Sequence, residues 1–110
     1  GVVVPARGDL IWVDFNPQAG QAGRRPALVL SAERFNCSTG LLLACPITSR
    51  VRGYPLEIAL PEGLGVQGVV LAHHTRSLDW RSRRAEVIEA APQETLKAVL
   101  NVSTAILEDE

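Results

Sequence analysis

Reactive sulfur and imidazole are scarce in this chain. Its 110 residues hold two cysteines, Cys37 and Cys45, without a C-x-x-C spacing, and two histidines, His73 and His74, far from both. No metal and no other cofactor is expected from such a set, and the cysteines read as reduced thiols. Lysine is scarcer still, with Lys97 alone beside ten arginines. No apolar run approaches the roughly 20 residues of a membrane helix. Val2 to Val4 is too short for a signal-peptide core and has no basic start. The chain is therefore expected to have no membrane partner and to work in the cytoplasm. Internal repeats, linkers and low-complexity segments are also missing, which leaves one domain over residues 1–110. A domain this small has little stability to spare, so oligomerisation is expected.

What the chain does have is arginine, unevenly placed. Net charge is −1, yet from Arg24 to Arg84 nine arginines face four acids, a local balance of +5. The remainder sets Arg7 and Lys97 against eight acids. Arginine's planar fork suits bidentate phosphate contacts and stacking on bases. The middle of the chain thus reads either as a nucleic-acid surface or as a solvated face of scattered arginines.

The stretch Gly8 to Ser31 organises the rest. Asp9 to Phe15 alternates, with Ile11, Val13 and Phe15 on one face and Leu10, Trp12 and Asp14 on the other. That pattern predicts a strand with one face in the core. Asn16-Pro17 opens a loop of small residues, where a ligand backbone can come close. Arg24-Arg25-Pro26 closes it, leading into an apolar strand that ends at Leu30. Ala32 to Ser38 reads as a polar connection with one helical turn, and Leu41 to about Ile47 as a third strand. Further strands are expected at Leu56–Leu60, Gly68–Ala72 and Glu86–Glu89, with a helical turn at Ser77–Trp80. From Pro92, apolar residues at three- and four-residue spacing (Leu96, Val99, Leu100, Ile106, Leu107) predict a helix packed on the sheet. The expected fold is mainly β, a small antiparallel barrel with a C-terminal α-helix.

Two strand ends deliver chemistry-bearing residues: Thr48-Ser49-Arg50-Val51-Arg52 after the third, and His73-His74-Thr75-Arg76 after the fifth. If the fifth strand continues, alternation lets at most one of the two histidines face a ligand. Arg76, Arg81, Arg83 and Arg84, with Arg50 and Arg52, are expected to line a groove for phosphates. Trp12 and Trp80 are read as core or dimer contacts ahead of base-stacking platforms.

The chain resembles the MazF/PemK family of toxin endoribonucleases over nearly its whole length. The resemblance rests on Gly8 to Pro17 (GDLIWVDFNP), Gln21 to Ser31 (QAGRRPALVLS), Pro46 to Ser49 (PITS) and Gly53 to Glu57 (GYPLE). It continues through Gly68 to Ala72 (GVVLA), Arg76 to Arg81 (RSLDWR) and Ala91-Pro92. It implies an SH3-like barrel of the CcdB/MazF type and a homodimer. It also implies metal-independent cutting of single-stranded RNA, commonly mRNA, to 2′,3′-cyclic phosphate and 5′-hydroxyl ends. A MazE-like antitoxin is the implied inhibitor, and DNA a partner only through that antitoxin. By motif, Arg25 and Thr48 inherit the catalytic positions. Gln21, Arg24, Ser49, Arg50, Arg52, His73, Arg76, Arg81 and Arg83 are the expected RNA contacts. Two departures stand out. The loop lacks the Ser-Glu pair common before its glutamine, and His73-His74 replaces an acid and a glutamine. His74 is accordingly the candidate general base, since its unperturbed pKa of roughly 6.5 lies near working pH. Two alternatives remain at this point: a gyrase-poison-like toxin of the same fold, and a non-catalytic binding module.

Overall fold

A computed structural model describes residues 3–108. Among them the order is β1 Asp9–Asp14, a 3₁₀ segment Pro17–Gly23, β2 Arg24–Val29, α1 Glu33–Thr39 and β3 Leu41–Thr48. Then come β4 Glu57–Ala59, β5 Val69–Leu71, β6 Arg76–Asp79, β7 Glu86–Ala90 and α2 Gln93–Glu108. All strand pairs are antiparallel, in the order β4-β5-β3-β2-β1-β7, with β6 also on β3.

β3 is the branch point. Its Leu41–Ala44 half pairs with β6, and Ile47 and Thr48 pair with β5. Ala44 to Pro46 pairs with β2. The ladder does not close, because no described pair joins the end strands β4 and β7. The expected barrel is thus an open sheet. β4 has only three residues, too few to complete a ladder, and α2 packs against it.

β1 buries both faces, where alternation predicted one. Leu10 joins Leu28, Ile47 and Val70 beneath Leu96 and Val99 of α2. Ile11 and Val13 join Val29, Leu42, Leu78 and Trp80 on the other side. A small domain needs both layers, since each fully buried Leu or Val contributes only about 1.5–3 kcal/mol. The expected apolar stripe of α2 runs as far as Val102, while Ile106 and Leu107 lie exposed.

Two local expectations change. Ser77 to Asp79 is strand and Trp80 starts the turn after it: Leu78 and Trp80 are buried and Ser77 and Asp79 exposed, a period of two rather than 3.6. The connection after Ser31 is a seven-residue helix that Gly40 ends at φ 74°. Its Asn36 is fully buried and donates to the carbonyls of Pro5 (2.8 Å) and Ser31 (3.2 Å), while its own carbonyl accepts from Trp80 Nε1 at 2.8 Å. The side-chain amide of this residue thereby ties the N-terminal segment to the end of β2, and its backbone carbonyl ties α1 to Trp80 of the second core. No described helix is long and apolar enough to cross a membrane.

Candidate active site

The site forms where β2 and β3 end together. The β2–β3 ladder ends at Ala27 and Pro46, and Arg25 and Thr48 each lie two residues beyond it on their strands. One glycine closes the loop that precedes Arg25, and another lies against the backbone of Thr48. At the base of the β1–β2 loop the carbonyl of Gly23 accepts from Phe15 N (2.9 Å) and Asn16 N (3.2 Å). A Cβ on Gly23 would lie 1.9 Å from the Asn16 carbonyl oxygen, so only glycine allows this closure. Gly68, at φ 118°, lies against Thr48, where a Cβ would fall 2.1 Å from its carbonyl oxygen.

Arg24 and Arg25 are neighbours with opposite fates. Arg24 NH1 donates to Asp14 at 3.0 Å, and its NH2 donates to Glu86 at 2.7 Å and to the Arg84 carbonyl at 2.9 Å. Arg84, at φ 53°, holds the other side of Asp14 through Nε at 2.8 Å. The Arg84 hydrogen bond, with Arg24 behind it, keeps the Asp14 carboxyl below the ordinary aspartate range against the opposing effect of burial. Asp14 in turn keeps the Arg84 guanidinium more firmly protonated. Arg83 donates to the carbonyls of Asp14 (3.0 Å) and Phe15 (2.8 Å), pinning the loop entrance. Arg25 is exposed, and no described acid lies within ion-pair distance of it.

An open groove of about 1010 Å³ runs past Arg25. Thr48, Ser49, Arg50, Arg52, His73 and His74 also line it, with Phe15 and Tyr54. The Thr48 hydroxyl oxygen accepts from Arg50 N at 3.1 Å, which leaves its proton to donate into the groove. Glu57 is the acid on the groove wall, and its carboxylate already accepts from the backbone N–H groups of Arg52 and Gly53 (2.8–3.1 Å to Oε1).

Both histidines line the groove, where strand alternation predicted at most one. The strand stops at Leu71, and a turn closed by His74 N to the Leu71 carbonyl (3.0 Å) removes the alternation. The rings meet edge to face with centroids 4.1 Å apart. His73 Nδ1 is buried without a partner in the protein.

The remaining candidates lie outside this groove or at its border. Gln21 lines a smaller cleft of about 330 Å³ with Trp12, Arg24 and Glu86. Trp12 and Arg24 also border the groove. Arg76 stacks over the Phe15 ring at 5.2 Å, and Arg81 over Trp80 at 4.9 Å. Arg83 and Arg84, bound to carbonyls and Asp14, are the members of the expected arginine wall that serve as scaffold, while Arg50 and Arg52 line the groove. Asp14, Gly23 and Gly68 carry weight that the linear pattern understated. An acid next to a core strand and upstream of paired arginines is the signal that Asp14 offered. Among the described residues no group of three or more His, Cys, Asp or Glu side chains is placed to hold a metal ion.

Fold and groove define a class: a small antiparallel β domain whose arginine- and histidine-lined groove can hold an extended polyanion. The family model for the PemK-like, MazF-like toxin of type II toxin-antitoxin systems matches residues 6–107, and the chain belongs to that family. The endoribonuclease toxin MazF of Escherichia coli (strain K12) is 47% identical over 104 residues, covering 90% of this chain and 93% of that one. MazF from Deinococcus radiodurans superposes with a TM-score of 0.89 at 56% identity, covering 96% of this chain and 98% of its own. A MazE–MazF structure from the same organism gives 0.88 at 53% identity, covering 96% and 97%.

Proposed function

We propose that this protein is a sequence-specific endoribonuclease toxin. It cuts single-stranded RNA, in the cell mRNA, without a metal, leaving 2′,3′-cyclic phosphate and 5′-hydroxyl ends. A cognate MazE-like antitoxin holds it in check, and it works in the cytoplasm as a homodimer. The observation that carries this reading is the meeting of Arg25, Thr48 and the two histidines in one groove.

Cleavage requires three things of the groove. The 2′-hydroxyl must lose a proton as its oxygen attacks phosphorus. Charge on the phosphorane must be stabilised, and the departing 5′-oxygen must gain a proton. Arg25, a guanidinium with no acid partner, grips the non-bridging oxygens and stabilises the charge that builds on them. The Thr48 hydroxyl donates to the same phosphate. The proton at the 2′-oxygen goes to His74. Glu57 is poorly suited to that role because its oxygens already hold loop amides. His74 is exposed in the groove, and general-base help is typically worth about 10²–10⁴-fold.

The test is incubation of the purified protein with a long single-stranded RNA in EDTA, beside Arg25→Ala. Discrete cuts ending in cyclic phosphate, absent in the variant, are expected. Intact RNA after incubation with folded protein rejects the ribonuclease reading in favour of a non-catalytic binding module. For the base, His74→Ala and His74→Gln are expected to lose the rising acid limb of the pH–rate profile. Near wild-type profiles in both remove His74 from that role.

A further inference from the structure

The small cleft beside the groove is not used by the chemistry above. We infer that it is a nucleobase pocket which accepts a base bearing an amino group and rejects uracil. This rests on the RNA-cleaving reading and adds to it the residues that read one flanking base.

Trp12 forms one wall. It sits opposite Glu86 in the β1–β7 register and opposite Pro26 in the β1–β2 register. Trp12 stays 38% exposed while Trp80 is buried, so the fold leaves its ring available for stacking. Gln21 and Arg24 complete the lining, and the space of about 330 Å³ suits one planar base. Trp12 and Arg24 border both spaces, so a strand lying in the groove can turn one base into the cleft.

The charges decide what the cleft takes. Arg24 donates to Asp14, Glu86 and the Arg84 carbonyl, and Glu86 adds a carboxylate to the wall. A phosphate is repelled there, whereas an uncharged ring is not. Glu86 Oε1 accepts from Arg24 at 2.7 Å, and the side chain is 74% exposed. A carboxylate only accepts, so Oε2 suits an amino N–H of guanine, adenine or cytosine. Uracil presents two carbonyl oxygens around its single N–H, and these face the carboxylate unfavourably.

The discriminating variant is Glu86→Gln. Arg24 can only donate, so it holds the amide oxygen and leaves the NH₂ group to the cleft. The acceptor becomes a donor while the contact to Arg24 persists. A randomised RNA pool cut by the wild-type protein is expected to show uracil depleted at least about tenfold at one position flanking the cut. Under Glu86→Gln that depletion disappears or reverses. Identical cut-site profiles for the two proteins overturn the proposal.

A second measurement does not depend on cleavage. In Arg25→Ala protein, Trp12 emission is expected to fall when a short uncleaved RNA saturates the groove, with Trp12→Phe as the blank for Trp80. RNA binding that leaves this emission unchanged overturns the pocket. So does emission that responds to the antitoxin alone, which assigns the cleft to a protein partner. If the wild-type protein cuts no RNA yet Trp12 responds to it, the ribonuclease reading fails and the pocket stands.

Discussion

Asp14 takes two guanidinium groups at once, and the consequence is visible in pH. Its carboxyl titrates below the ordinary aspartate range, chiefly through Arg84 and then Arg24. A depressed carboxylate contributes its stabilisation fully above the unfolded value near 3.9, and loses it as pH falls through the lower folded value. The thermal midpoint of the wild type is therefore expected to fall more steeply below about pH 4 than that of Asp14→Asn. Parallel curves would show that the ion pairs add nothing to the fold. Asn36 makes the opposite kind of contribution, independent of charge. Replacing it with Leu strands the buried carbonyls it donates to, at a cost of at least about 2 kcal/mol in denaturant unfolding. Cys45 is buried, which pushes its thiol pKa up against the weaker effect of Thr75. Cys37 is exposed, so one fast-labelling thiol per chain is expected at neutral pH.

At the scale of elements, two glycines hold the loop and strand end that bear Arg25 and Thr48. Gly23→Ala and Gly68→Ala each drive a Cβ into backbone within 1.9–2.1 Å, so the neighbouring segment must move. A displacement of about 1 Å at a reacting group can cost about 100-fold in rate. Each variant is expected to lose at least that in kcat/KM while keeping its far-ultraviolet circular dichroism. Unchanged rates would place the reacting groups elsewhere. Strand pattern served well for β1, β2 and β3, whose alternating or apolar runs are long. It also located the short β4, β5 and β7, and failed at β6 and just past the end of β5. β6 has four residues, and its period of two became plain only once Leu78 and Trp80 were seen in the core. The histidines fell just past a strand end, and the turn at Leu71–His74 decided their directions.

For the whole molecule, the arginine count and the arginine chemistry diverge. Nine arginines lie between Arg24 and Arg84, but Arg25, Arg50 and Arg52 are the ones lining the groove without an acid partner. Single-strand binding loses affinity with salt by a logarithmic slope of roughly −0.7 per phosphate neutralised. A slope of about −2 per chain is therefore expected for the wild-type protein titrated with RNA too short to span two sites. A slope near −6 would mean that the scaffold arginines release their partners and bind RNA. The exposed apolar side chains of Phe35, Leu41 and Leu43 offer a surface for the proposed homodimer. Leu43→Glu is expected to shift the sedimenting mass toward the monomer, and an unchanged mass would locate the contact on another face.

The amino-acid sequence by itself determined the strand-rich class, the C-terminal helix, the family and the candidacy of Arg25, Thr48 and His74. Periodicity and short motifs are local properties, and they survive in the linear chain. Only the tertiary structure decided which arginines are free. Asp14 and Arg84 are 70 residues apart, and Arg24 and Glu86 are 62. A guanidinium's reach for phosphate depends on whether a carboxylate already holds it, and that carboxylate arrives by strand pairing across the sheet. The same pairing brings Glu86 beside Trp12 and makes the small cleft, which no stretch of the sequence contains.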